Sequence, residues 1–92
     1  MAASDDGPLS ARELGEAALE TVEDLTGYRP EAVTGLEWDG EHWQVTVDVL
    51  ELERIPNTTD VLATYVVQLD GNGTLRGYRR TGRFARGQVA GD

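Results

Sequence analysis

The sequence has no cysteine and no lysine, a single histidine, a single methionine, and no apolar run of membrane length. Without cysteine there is no disulfide, no thiolate nucleophile and no sulfur-ligated zinc. Only oxygen ligands and His42 remain as metal donors, so neither a structural metal nor a cofactor is expected. No stretch approaches the roughly 20 apolar residues of a membrane-spanning helix, and no membrane partner is expected. The opening residues MAASDDGPLSAREL carry acids where a secretory signal would carry basic residues and then an apolar block, which points to the cytoplasm. The missing lysine leaves arginine as the sole long cation; a GC-rich genome accounts for that as readily as arginine's bidentate grip on carboxylates and phosphates.

Ninety-two residues, 39% of them hydrophobic and 27% charged, make one domain in which surface dominates volume. The net charge of −9 is unevenly spread. All of the acids except Asp70 and Asp92 lie within residues 1–60, whereas residues 71–91 hold Arg76, Arg79, Arg80, Arg83 and Arg86 and no acid. The C-terminal region is therefore a separate electrostatic object.

Residues 1–8 and 88–92 have the composition of disordered tails, leaving a folded domain over 9–87. Ser10 and Glu13 are spaced as a capping box, with Leu9 and Leu14 as its hydrophobic staple, and Gly27 supplies a C-terminal stop. Between them Leu14, Ala18, Val22 and Leu25 form one apolar stripe, which predicts an amphipathic helix of about 16 residues. The period then changes to two. A first strand is expected from Ala32, a two-residue turn at Asp39-Gly40, and a second strand through HWQVTVDVLELE with Trp43, Val45, Val47 and Val49 on one face. The apolar phase slips at Leu50 and Leu52, as a β-bulge would cause. Pro56 and NTTD end this strand, VLATYVVQL forms the third, DGNG is a hairpin turn, and TLRGYRR continuing through RFAR forms the fourth. The fold class is α+β: one N-terminal helix packed on a four-stranded antiparallel β-meander. Trp43, Val45, Val47, Tyr65 and Val67 face the helix; Gln44, Thr46, Asp48, Thr64, Val66 and Gln68 face away.

No arrangement of residues here singles out a catalytic site. Glu51 and Glu53, two apart on a strand, share a face and have Asp60 nearby, a pattern that serves acid/base chemistry or a hard cation but is commoner as a solvated strand edge. His42 beside a turn reads as solvent-facing. The cluster GYRRTGRFARG interleaves arginines with Tyr78 and Phe84, as a nucleic-acid site would. The acidic remainder of the surface repels a phosphate backbone, which favours protein binding or pairing with Glu51, Glu53 and Asp60.

The stretch VDVLELERIPNTTDVLATYVVQLDGNGTLRGYRRTGRFARG resembles the gas vesicle protein GvpO family. The elements that carry the resemblance are the Leu25-Thr26-Gly27 step, Trp43, Glu53 to Pro56, Thr59 and Asp60, Leu62, Tyr65, the Asp70-Gly71 turn, and Tyr78, Arg79 and Arg80. The chain departs from the family pattern at Val66 and Gln68, where acids are usual. The resemblance implies a non-enzymatic accessory protein of gas vesicle formation and assembly, associated with gas vesicles. Its implied partners are the shell protein and other accessory proteins. Glu51, Glu53, Arg54, Asp60, Tyr65, Tyr78, Arg79, Arg80, Arg83 and Arg86 are the expected partner-binding residues. Open alternatives at this level are a nucleic-acid-binding regulator of vesicle gene expression using the arginine cluster, and a homodimer through a sheet edge.

Overall fold

The computed structural model describes residues 9–87, so the tails expected at 1–8 and 88–92 lie outside the described residues. Helix α1 spans Ala11–Thr26. Its start is fixed by the capping box: the Glu13 amide donates to Ser10 Oγ at 3.2 Å, and the Ser10 amide donates to Glu13 Oε1 at 2.9 Å. It ends at Gly27, whose φ of 77° is left-handed and whose amide donates to the Glu23 carbonyl. Leu14, Gly15, Ala18 and Val22 form the buried face. Leu25 is exposed despite its place on the stripe, and Tyr28, just past the helix, packs against the core.

The sheet is a meander of β1 (Arg29–Trp38), β2 (Trp43–Leu52), β3 (Val61–Leu69) and β4 (Leu75–Ala85), antiparallel throughout and ordered as in the chain. The first strand begins three residues before the alternation predicted it, taking in Pro30. That is tolerated because β1 is an edge strand and can orient a position without an N–H away from its neighbour.

The β1–β2 connection is longer than the two-residue turn expected from Asp39-Gly40. Trp38 pairs with Trp43, leaving Asp39 to His42 as the loop. The cause is the Asp39 carboxylate, which accepts from the amides of Glu41 and His42 and from Gln44 Nε2 and so organises a wider turn. Asp70 does the same between β3 and β4, accepting from the amides of Asn72 and Thr74. The Leu9 amide donates to the Gly71 carbonyl at 2.7 Å, tying the start of the domain to this second turn. Gly73 in that turn has a φ of 83°, and a Cβ there would lie 2.6 Å from Leu9 Cδ1. The left-handed φ favours glycine here, and any Cβ would also have to displace the end of the Leu9 side chain.

The core lies between α1 and one sheet face: Leu14, Ala18 and Val22 pack on Val45, Val47, Val49, Ala63, Tyr65, Val67 and Leu69. Burying each valine or leucine contributes about 1.5–3 kcal/mol. The predicted inward face is the one observed, with Trp43 half-buried. The opposite face is not fully polar, since Leu50 and Leu62 pair across β2 and β3 and are buried there. Among the described residues every buried side-chain nitrogen or oxygen has a hydrogen-bond partner. No helix among them is long and apolar enough to cross a membrane.

Candidate functional site

The predicted bulge falls at Glu51. The register moves from Leu50 opposite Leu62 to Leu52 opposite Val61, leaving Glu51 without a cross-strand partner. A second irregularity in β4 skips Thr81, between Gly82 opposite Thr64 and Arg80 opposite Tyr65. The two offsets bring Glu51 and the β4 arginines together. Glu51 Oε2 accepts from Arg80 Nη1 at 2.9 Å, and Glu51 Oε1 forms an ion pair with Arg83 Nε at 2.6 Å. The carboxylate side chain is only 7% exposed, while both arginines remain about half exposed. One sunken acid thus orients two guanidinium groups toward solvent.

Tyr65 and Tyr78 lie beside this pair with ring centroids 6.2 Å apart. Their situations differ. Tyr65 belongs to the core, and its burial, with Glu51 nearby, raises its phenol above the ordinary value. Tyr78 is 44% exposed and presents its ring at the surface. Arg79 is exposed on the other face of the strand, and neither Arg79, Arg76 nor Arg54 has a carboxylate within ion-pair distance among the described residues.

Asp60 and Arg86 form a second cluster at the end of the sheet. The Asp60 side chain is almost fully buried; Oδ1 accepts from the Arg54 amide at 2.7 Å and Oδ2 from Arg86 Nε at 3.1 Å. Arg86 also donates to both oxygens of Glu31 through Nη1 and Nη2, at 3.0 and 2.9 Å. The Arg54 amide bond, then the Arg86 contacts, hold the Asp60 carboxyl below the usual range, and the Arg86 hydrogen bond does the same for Glu31. Arg86 in turn is held more firmly protonated than a free arginine. This network clasps β1, the start of β3 and the end of β4. The loop it closes, through the 3-10 turn Asn57–Thr59, puts Ile55 fully into solvent.

The expected pairing of arginines with neighbouring acids is realised for Glu51 and Asp60 but not for Glu53. The strand ends at Leu52, so Glu53 does not share the face of Glu51; it is exposed and contacts Arg29 at 3.7 Å. The ten residues singled out in the sequence therefore divide. Glu51, Arg80, Arg83, Tyr65 and Tyr78 gather on one face beside β4, and Arg79 stands on the other face. Asp60, Arg86 and the Arg54 backbone form the corner clasp, and Glu53 stands apart.

Two features were missed. Glu31 is the third member of the clasp, and no local pattern marks it because its partner lies 55 positions away. Trp38 and Trp43, 5.4 Å apart between centroids, form with Leu9 and Gly71 an open recess of about 540 Å³ at the opposite end of the sheet. A tryptophan on either side of a predicted turn was its only signal.

The profile of the family described as "Gas vesicle synthesis protein GvpO" matches residues 2–90. Gas vesicle protein O of Streptomyces sp. (strain CB03234) is 41% identical over 81 residues, covering 88% of this chain and 63% of that protein. Gas vesicle protein O1 of Halobacterium salinarum is 33% identical over 72 residues, covering 78% and 60%. Gas vesicle protein O of Haloferax mediterranei is 30% identical over 92 residues, covering 96% and 66%. The chain thus spans a little under two thirds of the length of these relatives. No solved structure matches it. With the profile covering nearly the whole sequence and relatives in both bacteria and haloarchaea, the chain belongs to the GvpO family of gas vesicle synthesis proteins.

Proposed function

We propose that this chain is a cytoplasmic accessory protein of gas vesicle formation and assembly that works by binding other vesicle proteins, without catalysis. The family description and the names of the relatives support the vesicle role. The observation that carries the binding mechanism is the side-chain set on β4. Arg80 and Arg83 are oriented by the sunken Glu51, with exposed Tyr78 on the same face of the strand and exposed Arg79 on the other, and arginine and tyrosine are among the residue types that most often dominate protein interfaces. Pre-oriented guanidinium groups lose less freedom when a partner carboxylate engages them.

The partners of this reading are the shell protein and other accessory proteins, met before or during shell growth. The ion pairs weigh against a nucleic-acid role, because Arg80, Arg83 and Arg86 are already matched by Glu51, Asp60 and Glu31 and have less charge left for phosphates. Deleting the gene in a vesicle-forming host, and scoring vesicles by electron microscopy with and without a restored copy, tests the role. Loss of vesicles with recovery on complementation is expected; an undiminished vesicle content after deletion contradicts it.

A further inference from the structure

The two edges of the sheet differ in what they offer a partner. β1 carries Pro30 and register irregularities at Glu31 and Thr34, features that spoil an edge as a template for another strand. β4 carries neither proline nor acid; its own irregularities, at Arg76 and Thr81, leave Gly77 to Arg80 in unbroken register, and β3 is its sheet neighbour on one side only. The helix packs on β1, β2 and β3. Among the described residues, the far side of β4 from Leu75 to Arg83 therefore has no strand against it, and its side chains supply four arginines.

These arginines also discriminate among strands. If two copies of β4 paired antiparallel about a two-fold at Arg79 or at Arg80, that arginine would face its own counterpart in the second copy. Like charges directly opposite are destabilising, so the full-length self-pairing is opposed by its own side chains. An acidic strand in the same place meets the reverse situation. Arg76 and Arg79 have no carboxylate partner among the described residues, and Arg80 and Arg83 each keep donor groups beyond those used on Glu51.

We infer that the β4 edge between Leu75 and Arg83 receives an extended acidic segment of a partner protein as an additional strand of the sheet. Main-chain hydrogen bonds supply affinity, and carboxylates set against the arginines supply direction and selectivity. This rests on the protein-binding reading above and names the chemistry of the partner at that site. Glu51 acts as a positioning residue, holding Arg80 and Arg83 where alternate side chains of an added strand would reach them.

The test uses the intact chain and a fluorescent peptide of about ten residues alternating glutamate with valine and threonine, a typical strand length. Binding is read by anisotropy. Three comparison probes are the same peptide N-methylated at alternate residues, its glutamine counterpart, and a short DNA duplex. The acidic peptide is expected to bind, and N-methylation to weaken it about tenfold or more, because it removes several main-chain hydrogen bonds at once. The glutamine counterpart is expected to bind more weakly and with less dependence on salt. Equal affinity for the N-methylated peptide overturns strand addition, and tighter binding of the duplex than of the acidic peptide overturns the choice of partner. The Glu51→Gln variant with Arg80→Ala and Arg83→Ala, which removes the acid together with both guanidinium groups it holds, should lose most of the peptide affinity at unchanged circular dichroism; retained affinity also overturns the proposal. Recovery of vesicle proteins with the tagged chain is a separate readout. If vesicle proteins are recovered but N-methylation has no effect, the binding role stands and strand addition fails; if none are recovered, the binding role itself fails.

Discussion

Arg86 meets Asp60 twice: its Nε donates to Asp60 Oδ2 at 3.1 Å, and its backbone amide donates to the Asp60 carbonyl at 2.8 Å. The same carboxylate fixes the Arg54 amide through Oδ1. One buried acid thus holds the end of β4 and the β2–β3 loop together, with Glu31 of β1 gripping the far side of the guanidinium.

Asp60→Ala should lower the melting temperature by several degrees, because it leaves the Arg54 amide and one arginine face without their acceptor. Asp60→Asn should retain part of that loss, since an amide oxygen still accepts from Arg54 but carries no charge for Arg86. Thermal melts followed by circular dichroism, with the wild type alongside, check the order wild type, Asn, Ala.

The depressed carboxyls set the acid side of the stability profile. Asp39 is lowered from 3.8 to about 2, chiefly by the amides of His42 and Glu41 and by Gln44; Asp60 and Glu31 are lowered too. A group whose folded pKa is depressed stabilises the fold fully above its unfolded value and stops doing so as pH falls through the folded one. Stability should therefore hold down to about pH 4 and fall between about 4 and 2. Asp39→Asn should make that fall shallower, as urea midpoints measured across this range would reveal.

The two sheet faces should respond differently to truncation. Leu14→Ala opens the core against β2 and β3 and should cost about 3 kcal/mol, a drop of roughly 10 °C or more in melting temperature. Val66→Ala, on the half-buried face away from the helix, should cost less than about 1 kcal/mol. Comparable losses at both positions would mean that the face assignment is wrong.

The elements were legible in the sequence because their signals are local. The Ser10–Glu13 cap, Gly27, the alternation of Val45, Val47 and Val49 and the slip after Val49 each depend on near neighbours in the chain, and each reappears in the fold. The loops were less legible, since the reach of the Asp39 carboxylate to two amides and Gln44 overrode the turn that Asp-Gly suggests. The site was half legible. Arginine against acid could be expected from charge, but which acid depended on two register offsets. Those offsets sank Glu51 beneath Arg80 and Arg83, and the end of β2 at Leu52 left Glu53 outside.

That arrangement also decides how the binding role has to be tested. Replacing Arg80 and Arg83 alone would strand the nearly buried Glu51 carboxylate and destabilise the domain, confusing lost binding with lost folding. The variant to use is Glu51→Gln with Arg80→Ala and Arg83→Ala, which removes the acid's charge together with both guanidinium groups. The most direct measurement is recovery of vesicle proteins with a tagged chain co-expressed alongside the shell and accessory proteins, comparing wild type with this triple variant at matched circular dichroism. Vesicle proteins recovered with the wild type and lost with the variant are the expected result; equal recovery from both would contradict a binding site on β4.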